Sequence, residues 1–156
     1  MSASFRGANL RGVTLKEATF TNADLQKSDL KDSTLQSLHA SHASFQGANL
    51  EGSSMIGCDL AGSDFRRAEL DNAVLTHSDL RHADFSGANL RGADLSKTRL
   101  DRACFSGADL TGATFEEASI DEADFSGAFG VAQANFVRCE GTAVGILISQ
   151  GGVAFG

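Results

Sequence analysis

The chain lacks the features that mark disulfide-stapled, secreted and membrane-spanning proteins. It has only three cysteines among 156 residues, and an odd number argues against a disulfide framework. No apolar run approaches the ~20 residues that a transmembrane helix needs. No charged stretch followed by an apolar run precedes the first repeat, so no signal peptide is expected. These absences predict a cytoplasmic protein with reduced thiols and no membrane association.

Basic residues are also scarce, and most of the charge imbalance lies toward the C-terminus. The chain has 13 Lys and Arg against 20 Asp and Glu, for a net charge of -7. Residues 101–156 contain two basic and eight acidic side chains, so this segment alone carries a net charge of -6. Direct binding of nucleic acid needs clustered Lys and Arg that neutralise phosphates. We therefore expect no direct contact with nucleic acid.

No combination of residues predicts a catalytic, cofactor-binding or metal-binding site. His77 and His82 lie five residues apart, but a metal site needs three or four converging ligands. Gly87 and Gly92 recur as bend residues of a repeat, whereas a phosphate loop would need a helix after it. We expect a protein that is not an enzyme and that uses no cofactor or metal.

The dominant feature of the chain is a five-residue repeat that runs from Ala3 to Ala128 without insertion or deletion. It is clearest at residues 83–95, where a small residue, Asp or Asn, a large apolar residue, a polar residue and often Gly recur in order. Of the 25 large slots from Phe5 to Phe125, 24 are large and apolar. The small and large slots are two residues apart, so they face the same side of a strand. Each unit is predicted to be a very short strand followed by a bend.

A second period, of 20 residues, predicts how the five-residue units stack. Six of the eight phenylalanines in the large slots differ in position by multiples of 20. A return every 20 residues means four five-residue sides in each turn of a square coil. Neighbouring turns are expected to lie ~4.8 Å apart, which is the spacing of paired strands. The rings predicted to form one stacked column are Phe5, Phe45, Phe65, Phe85, Phe105 and Phe125.

The repeat resembles that of the pentapeptide-repeat family over about four-fifths of the chain. The resemblance implies an all-β fold, namely a right-handed quadrilateral parallel β-helix, a solenoid with four five-residue sides per turn. The handedness comes from the resemblance alone, because the repeat period does not show it. Members of the family are mostly not enzymes. The best-understood group consists of acidic, rod-shaped dimers that imitate DNA and bind DNA gyrase and related type II topoisomerases.

This resemblance leaves two functions open. The first is a non-enzymatic protein-interaction rod that binds DNA gyrase or topoisomerase IV as an acidic DNA mimic. Such a topoisomerase inhibitor would be linked to quinolone resistance, since some members of the group protect gyrase from quinolones. The second is a structural or scaffolding repeat protein, or a secreted effector domain, with another protein partner.

An acidic surface is the candidate site for the first of these functions. The repeat places Asp and Glu in outward slots, where an acidic face could meet a protein partner. The alternative interpretation is that outward slots need solubilising residues and that Asp suits the turn. The candidate partner-binding residues are Asp64, Glu69, Asp84, Asp109, Glu116, Glu117, Asp121, Glu122 and Asp124.

The regular repeat stops at Ala128, so we divide the chain into a β-helix at residues 1–128 and an irregular C-terminal turn with a cap or dimerisation segment at 129–156. The end of a β-helix has unpaired backbone groups that must be covered. The tail has more apolar residues than one coil end can bury, which predicts a homodimer. The candidate cap or dimer residues are Phe129, Phe136, Val144, Ile146, Leu147, Ile148 and Phe155.

Overall fold

Each turn of the chain pairs with the turn that follows it 20 residues later. The computed structural model describes residues 3–149 and 152–154. Isolated parallel bridges join residues 20 apart, from Ser4 with Asp24 through to Asp109 with Phe129. The strands of this coil are therefore single bridging residues separated by turns, four to each circuit. We number the four sides by the bridging residue in one circuit, which is Asp84 on side 1, Asn89 on side 2, Asp94 on side 3 and Arg99 on side 4.

Backbone hydrogen bonds explain why a five-residue unit folds in this way. On side 1 the Phe85 N–H donates to the Cys104 carbonyl at 2.7 Å, and the Cys104 N–H donates back to Ala83 at 2.9 Å. The chain then turns at Gly87, whose φ of 65° lies in the left-handed region, and the Ala88 N–H donates to the Phe85 carbonyl at 2.9 Å. A turn with positive φ at its third residue favours Gly, as the repeat predicts.

Large buried side chains occupy the inward-facing slots along the described coil. Phe45, Phe65, Phe85, Phe105 and Phe125 form a continuous stack with ring centroids 4.8–5.0 Å apart and ring planes within 6° of parallel. Phe5 does not join this stack, because Leu25 occupies the slot between Phe5 and Phe45. Its ring instead meets Phe20 edge-on, at a centroid distance of 5.1 Å. The predicted column therefore contains five rings instead of six.

The backbone accommodates most polar residues in the small inward slots, although the buried hydroxyls of Ser33 and Ser53 have no hydrogen-bond partner among the described residues. The buried hydroxyl of Ser63 donates to the Ala40 carbonyl at 2.8 Å, and that of Ser78 donates to the Met55 carbonyl at 2.8 Å. Since each of these two hydroxyls finds a carbonyl, Ser63 and Ser78 avoid the cost of a buried unpaired donor. The core can thus exchange Ala for Ser at these positions without breaking the coil.

The last circuit departs from the 20-residue register and yet continues the coil. Asn135 bridges to Thr114 and Glu140 to Ser119, each 21 residues away, and Val144 returns to a separation of 20 from Asp124. A 3-10 helix at Val131–Gln133 takes up the extra residue. The coil therefore extends through Val144, beyond the end of the regular repeat at Ala128.

Glycine makes this change of register possible at one point. Gly130 has φ 69°, and a Cβ there would lie 2.5 Å from the Thr111 backbone nitrogen. A side chain at this position would collide with the turn below, so the chain can approach so closely only with Gly. Val131, which follows, is buried and fills the inward space that Gly130 leaves empty.

A short antiparallel hairpin follows the last circuit. Its strands are β1 (Leu147–Ser149) and β2 (Gly152–Ala154), with Ile148 opposite Val153. The strand β2 lies beside the 3-10 helix, so the hairpin folds back toward the C-terminal end of the coil. Segment 129–156 thus contains one more irregular circuit and a hairpin.

Outward Asp and Asn residues stabilise the turns that follow them. The Asp84 carboxylate accepts a hydrogen bond from the Ser86 N–H at 2.9 Å, and Asp94 accepts one from Ser96 at 2.9 Å. Asn49 does the same for Glu51 at 3.1 Å. These are Asx turns, in which a short side chain pairs with the backbone two residues on. The preference of the repeat for Asp or Asn thus has a structural cause.

Asp79 combines this turn role with two ion pairs. Arg81 lies 2.6 Å from its carboxylate and Arg99 lies 3.4 Å from it. Burial raises the pKa of Asp79, but the hydrogen bonds and charge of Arg81, with the charge of Arg99, outweigh it and lower that pKa overall. Asp79 therefore stabilises the fold more when it is ionised than when it is protonated.

We expect Phe85→Ala to reduce the free energy of unfolding by about 3–5 kcal/mol, because it removes a fully buried ring from the middle of the stack. Urea denaturation followed by circular dichroism measures this loss. Phe5→Ala is the control: Phe5 is only partly buried and lies outside the stack. Its loss should be clearly smaller, and equal losses would contradict the importance of the stack.

Replacement of Asp79 separates its charge from its turn hydrogen bond. Asp79→Asn keeps an acceptor for the Arg81 N–H, whereas Asp79→Ala removes it and should cost about 1 kcal/mol more. Because the folded pKa is lowered, the ionic contribution is present above the ordinary Asp pKa and disappears as the pH falls through the folded value. The gap in stability between wild type and Asp79→Asn should therefore shrink below about pH 4. A constant gap down to pH 2.5 in urea titrations would refute this assignment.

Candidate protein-interaction surface

The nine candidate acidic residues do not form a single patch. The bridges place Asp64 next to Asp84 on side 1, and Asp124 lies further along the same side. Glu69 and Asp109 belong to side 2, where Asn89 separates them. The remaining four lie at two other corners: Glu116 and Glu117 between sides 3 and 4, and Asp121 and Glu122 between sides 4 and 1.

Arginines neutralise most of the acids on sides 1 and 2. Arg66 lies 2.7 Å from Asp64 and 3.8 Å from Asp84, and Arg91 lies 3.2 Å from Asp109. Burial raises the pKa of Asp64, but the hydrogen bonds from Arg66 outweigh it and lower that pKa. The pKa of Asp109 is lowered mainly by the Thr111 hydroxyl and backbone, and further by Arg91. The lowered pKa keeps the Asp64 and Asp109 carboxylates ionised, and their arginine partners largely compensate these charges.

The acids near the C-terminus are also partly paired, across neighbouring turns. Arg102 lies 2.7 Å from Glu122, and Arg138 contacts both Glu116 and Glu117. Sequence reasoning missed these pairs, although opposite charges 20 residues apart, as in Arg102 and Glu122, are a signal that could have found them. Within residues 3–149 and 152–154, the candidate acids without an ion pair are Glu69, Asp121 and Asp124.

Two histidines and one cysteine lie near side 4, but they do not form a reactive centre. His39 and His77 line an open depression together with Cys58, Arg81 and Arg99. Burial raises the pKa of the Cys58 thiol to about 11, so it stays protonated at neutral pH. Across the described ranges, no three His, Cys, Asp or Glu side chains converge as a metal site would require. No helix in those ranges is long and apolar enough to span a membrane.

The candidate cap or dimer residues differ in their burial and in their place in the fold. Phe136 and Ile146 are buried and belong to the core of the coil, so they are not available for an interface. Phe129 and Val144 occupy outward bridging slots, where 66% and 55% of their surface is exposed. Leu147 and Ile148 lie in β1, and Phe155 lies outside the described residues.

One exposed apolar residue had not been predicted. Val137 is 54% exposed at the corner between sides 3 and 4, directly after the buried Phe136. It stands where the repeat has a polar turn residue, and the one-residue shift after Ala128 conceals that slot in the sequence.

Solved structures resemble this coil in fold. A trypsin-treated variant of QnrB1, described as a plasmid-mediated fluoroquinolone resistance protein, has a TM-score of 0.62 and 29% identity over 88% of this chain and 67% of its own. Full-length QnrB1 superposes with a TM-score of 0.50 and 20% identity, covering 83% and 75% of the two chains. A pentapeptide repeat protein from the thylakoid lumen of Arabidopsis thaliana is 31% identical over 67% of this chain and 66% of its own, with a TM-score of only 0.37. No curated protein matches the chain.

Family patterns match most of the coil. The pattern for a pentapeptide repeat region matches residues 48–125, and that for eight copies of the repeat matches residues 1–36. The structural neighbours are right-handed β-helices, which confirms the expected fold class together with its handedness. The chain therefore belongs to the pentapeptide-repeat family.

Proposed function

We propose that the protein is a non-enzymatic interaction rod that binds a type II topoisomerase, either DNA gyrase or topoisomerase IV. The observation that supports this most strongly is the structural likeness to QnrB1, a quinolone resistance protein, over 88% of the chain. The solid core also favours a function exerted from the outer surface, since the stacked rings leave no internal pocket along the column. Such a function would place the protein in the bacterial cytoplasm.

Resemblance to DNA would then come more from shape than from charge. Duplex DNA carries a phosphate every ~3.4 Å along each strand. Acids on one side of this coil recur at the turn spacing of ~4.8 Å at best, and Arg66, Arg91 and Arg102 pair with several of them. The unpaired carboxylates of Asp121 and Asp124 are the best placed to attract a basic partner over a distance. We propose that these charges accelerate binding while the rod shape provides the fit.

We also propose that the protein is a homodimer joined at the C-terminal ends of two coils. The hairpin β1–β2 follows the last circuit and lies beside the 3-10 helix, and in this proposal it covers the end of the coil. Its strands are edges with hydrogen-bonding groups available to a second copy. The acids of the last circuits point sideways from the rod, which reduces repulsion across such a joint.

A structural or scaffolding role, or that of a secreted effector domain, with another protein partner is the second candidate. Its support is that the fold itself accounts for most of the candidate acids. Asp64, Asp84 and Asp109 fix turns, and Glu116, Glu117 and Glu122 form ion pairs across turns. Residues with structural duties of this kind need no topoisomerase to explain them.

A supercoiling assay with purified gyrase tests the first proposal. Wild-type protein at micromolar concentration should inhibit supercoiling or protect gyrase from a quinolone. The double change Asp121→Asn and Asp124→Asn should weaken binding and reduce its dependence on salt, because it removes unpaired charges that steer association. The control is Glu116→Gln with Glu117→Gln, whose two charges Arg138 and Lys97 already compensate. Absence of any effect of wild type on gyrase or topoisomerase IV would favour the scaffolding alternative.

Sedimentation equilibrium tests the dimer. The full chain should sediment as a dimer at tens of micromolar, and a chain that ends at Ile146 should sediment as a monomer. This truncation keeps Val131, Phe136 and Ile146, the buried residues of the last circuit, and removes residues 147–156, which include both hairpin strands. A monomeric full-length protein would show that the hairpin covers only its own coil.

A further inference from the structure

The last circuit replaces polar outward residues with large apolar ones at two neighbouring positions. On side 1 the bridging residues Asp64, Asp84 and Asp124 are followed by Val144, and on side 2 Asp109 is followed by Phe129. Phe129 and Val144 are 66% and 55% exposed, although the core of the same circuit has its own apolar residues. Neither side chain is needed to fill the coil, so the fold does not explain why they are apolar.

The corner between sides 1 and 2 has only short side chains near these two residues, and we call it the low corner. Phe129 lies on side 2 and Val144 on the adjacent side 1. Ser126–Gly127 forms the corner just before Phe129, Gly145 passes over Ser126 directly after Val144, and the two preceding circuits also have Ser–Gly at this corner. Arg66 and Arg67, by contrast, occupy this corner one circuit earlier still. With no long side chain between the two apolar residues, another protein can approach the backbone closely and contact both.

The surroundings of this low corner are acidic. Asp109 bridges to Phe129 and Asp124 bridges to Val144, so a carboxylate lies beneath each apolar side chain. Asp109 pairs with Arg91, whereas Asp124 has no ion pair among the described residues. Asp121, at the next corner, adds a further carboxylate without an ion pair among the described residues. An aromatic residue surrounded by polar groups has the arrangement of an interface anchor with its rim.

We propose that Phe129 and Val144 are the apolar anchor by which the rod docks on a protein partner whose surface has an apolar pocket bordered by Lys or Arg. The inference rests on the proposed function, and it specifies which part of the rod the topoisomerase contacts. Charge complementarity favours this occupant: basic side chains can pair with Asp121 and Asp124 and lie against the Phe129 ring. A second copy of the chain would bring another acidic rim against the first, since residues 101–156 carry a net charge of -6.

The experiment measures equilibrium binding of the full-length protein to purified DNA gyrase and its sedimentation in parallel. Phe129→Ser should weaken binding at least about tenfold, as removal of an aromatic anchor does, whereas Phe129→Tyr should keep it. Val137→Ser is the matched control, because Val137 is 54% exposed at a corner remote from the anchor. It should change binding by less than about twofold, in keeping with surface changes outside an interface.

A second variant tests the same surface without removing either of the two apolar side chains. Ser126→Arg leaves Phe129 and Val144 in place but puts a long cationic side chain on the low corner between them. It should also weaken binding at least about tenfold, by steric block and by repulsion from a basic partner.

Each outcome has a separate meaning. Wild-type affinity for both Phe129→Ser and Ser126→Arg would overturn the anchor and leave the gyrase function intact. A shift of Phe129→Ser from dimer to monomer would also overturn it, since the surface would then belong to a second copy. If wild type itself fails to bind gyrase, the proposed function fails and the anchor for that partner fails with it.

Discussion

Hydrogen bonding between backbones one turn apart is the interaction on which the rest of this structure depends. The pairs that join Phe85 to Cys104 and Cys104 back to Ala83 recur on every side, and they fix the separation of equivalent residues at 20 positions. Because the separation is fixed, equivalent residues of successive turns lie next to each other. Phe65 lies parallel to Phe85 in the core, and Asp64 lies beside Asp84 on the surface. Core packing and surface pattern are thus two consequences of one ladder.

The same ladder restricts where function can lie. Rings and leucines fill the centre of the described coil, so the interaction surfaces that we propose lie on its outer faces. On those faces the stacking brings acids of successive turns close together, and pairing with arginine, as Arg102 does with Glu122, reduces the repulsion between them. The surface that remains for a partner is therefore defined by a few unpaired carboxylates and by exposed apolar groups, more than by the net charge of -7.

The C-terminal circuit shows how the ladder tolerates irregular sequence. Gly130 allows the chain to pass close to Thr111, and the 3-10 helix after it adds one residue without breaking the bridges at Asn135 and Glu140. Val131 and Phe136 keep the core filled through the shift. The register is recovered by Val144, which therefore lies on side 1. Phe129 lies on the adjacent side 2, so both side chains are on neighbouring outer sides.

The sequence by itself determined the coil, its four sides and its filled core. A large apolar residue recurs every five residues and equivalent positions recur every 20, and this pattern admits few other packings. The sequence also predicted one column of six phenylalanines, but not that Phe5 would lie outside this column and meet Phe20. Only the tertiary structure decided which acids are compensated, since the partner of Glu116 is Arg138, beyond the shift in register. It likewise decided that Phe136 is core whereas Phe129 is exposed. The pairing of Arg138 and the burial of Phe136 depend on a single inserted residue, whereas Phe129 precedes it and keeps the regular register. In a structure with a side-chain period of two, one residue exchanges the inner and outer faces.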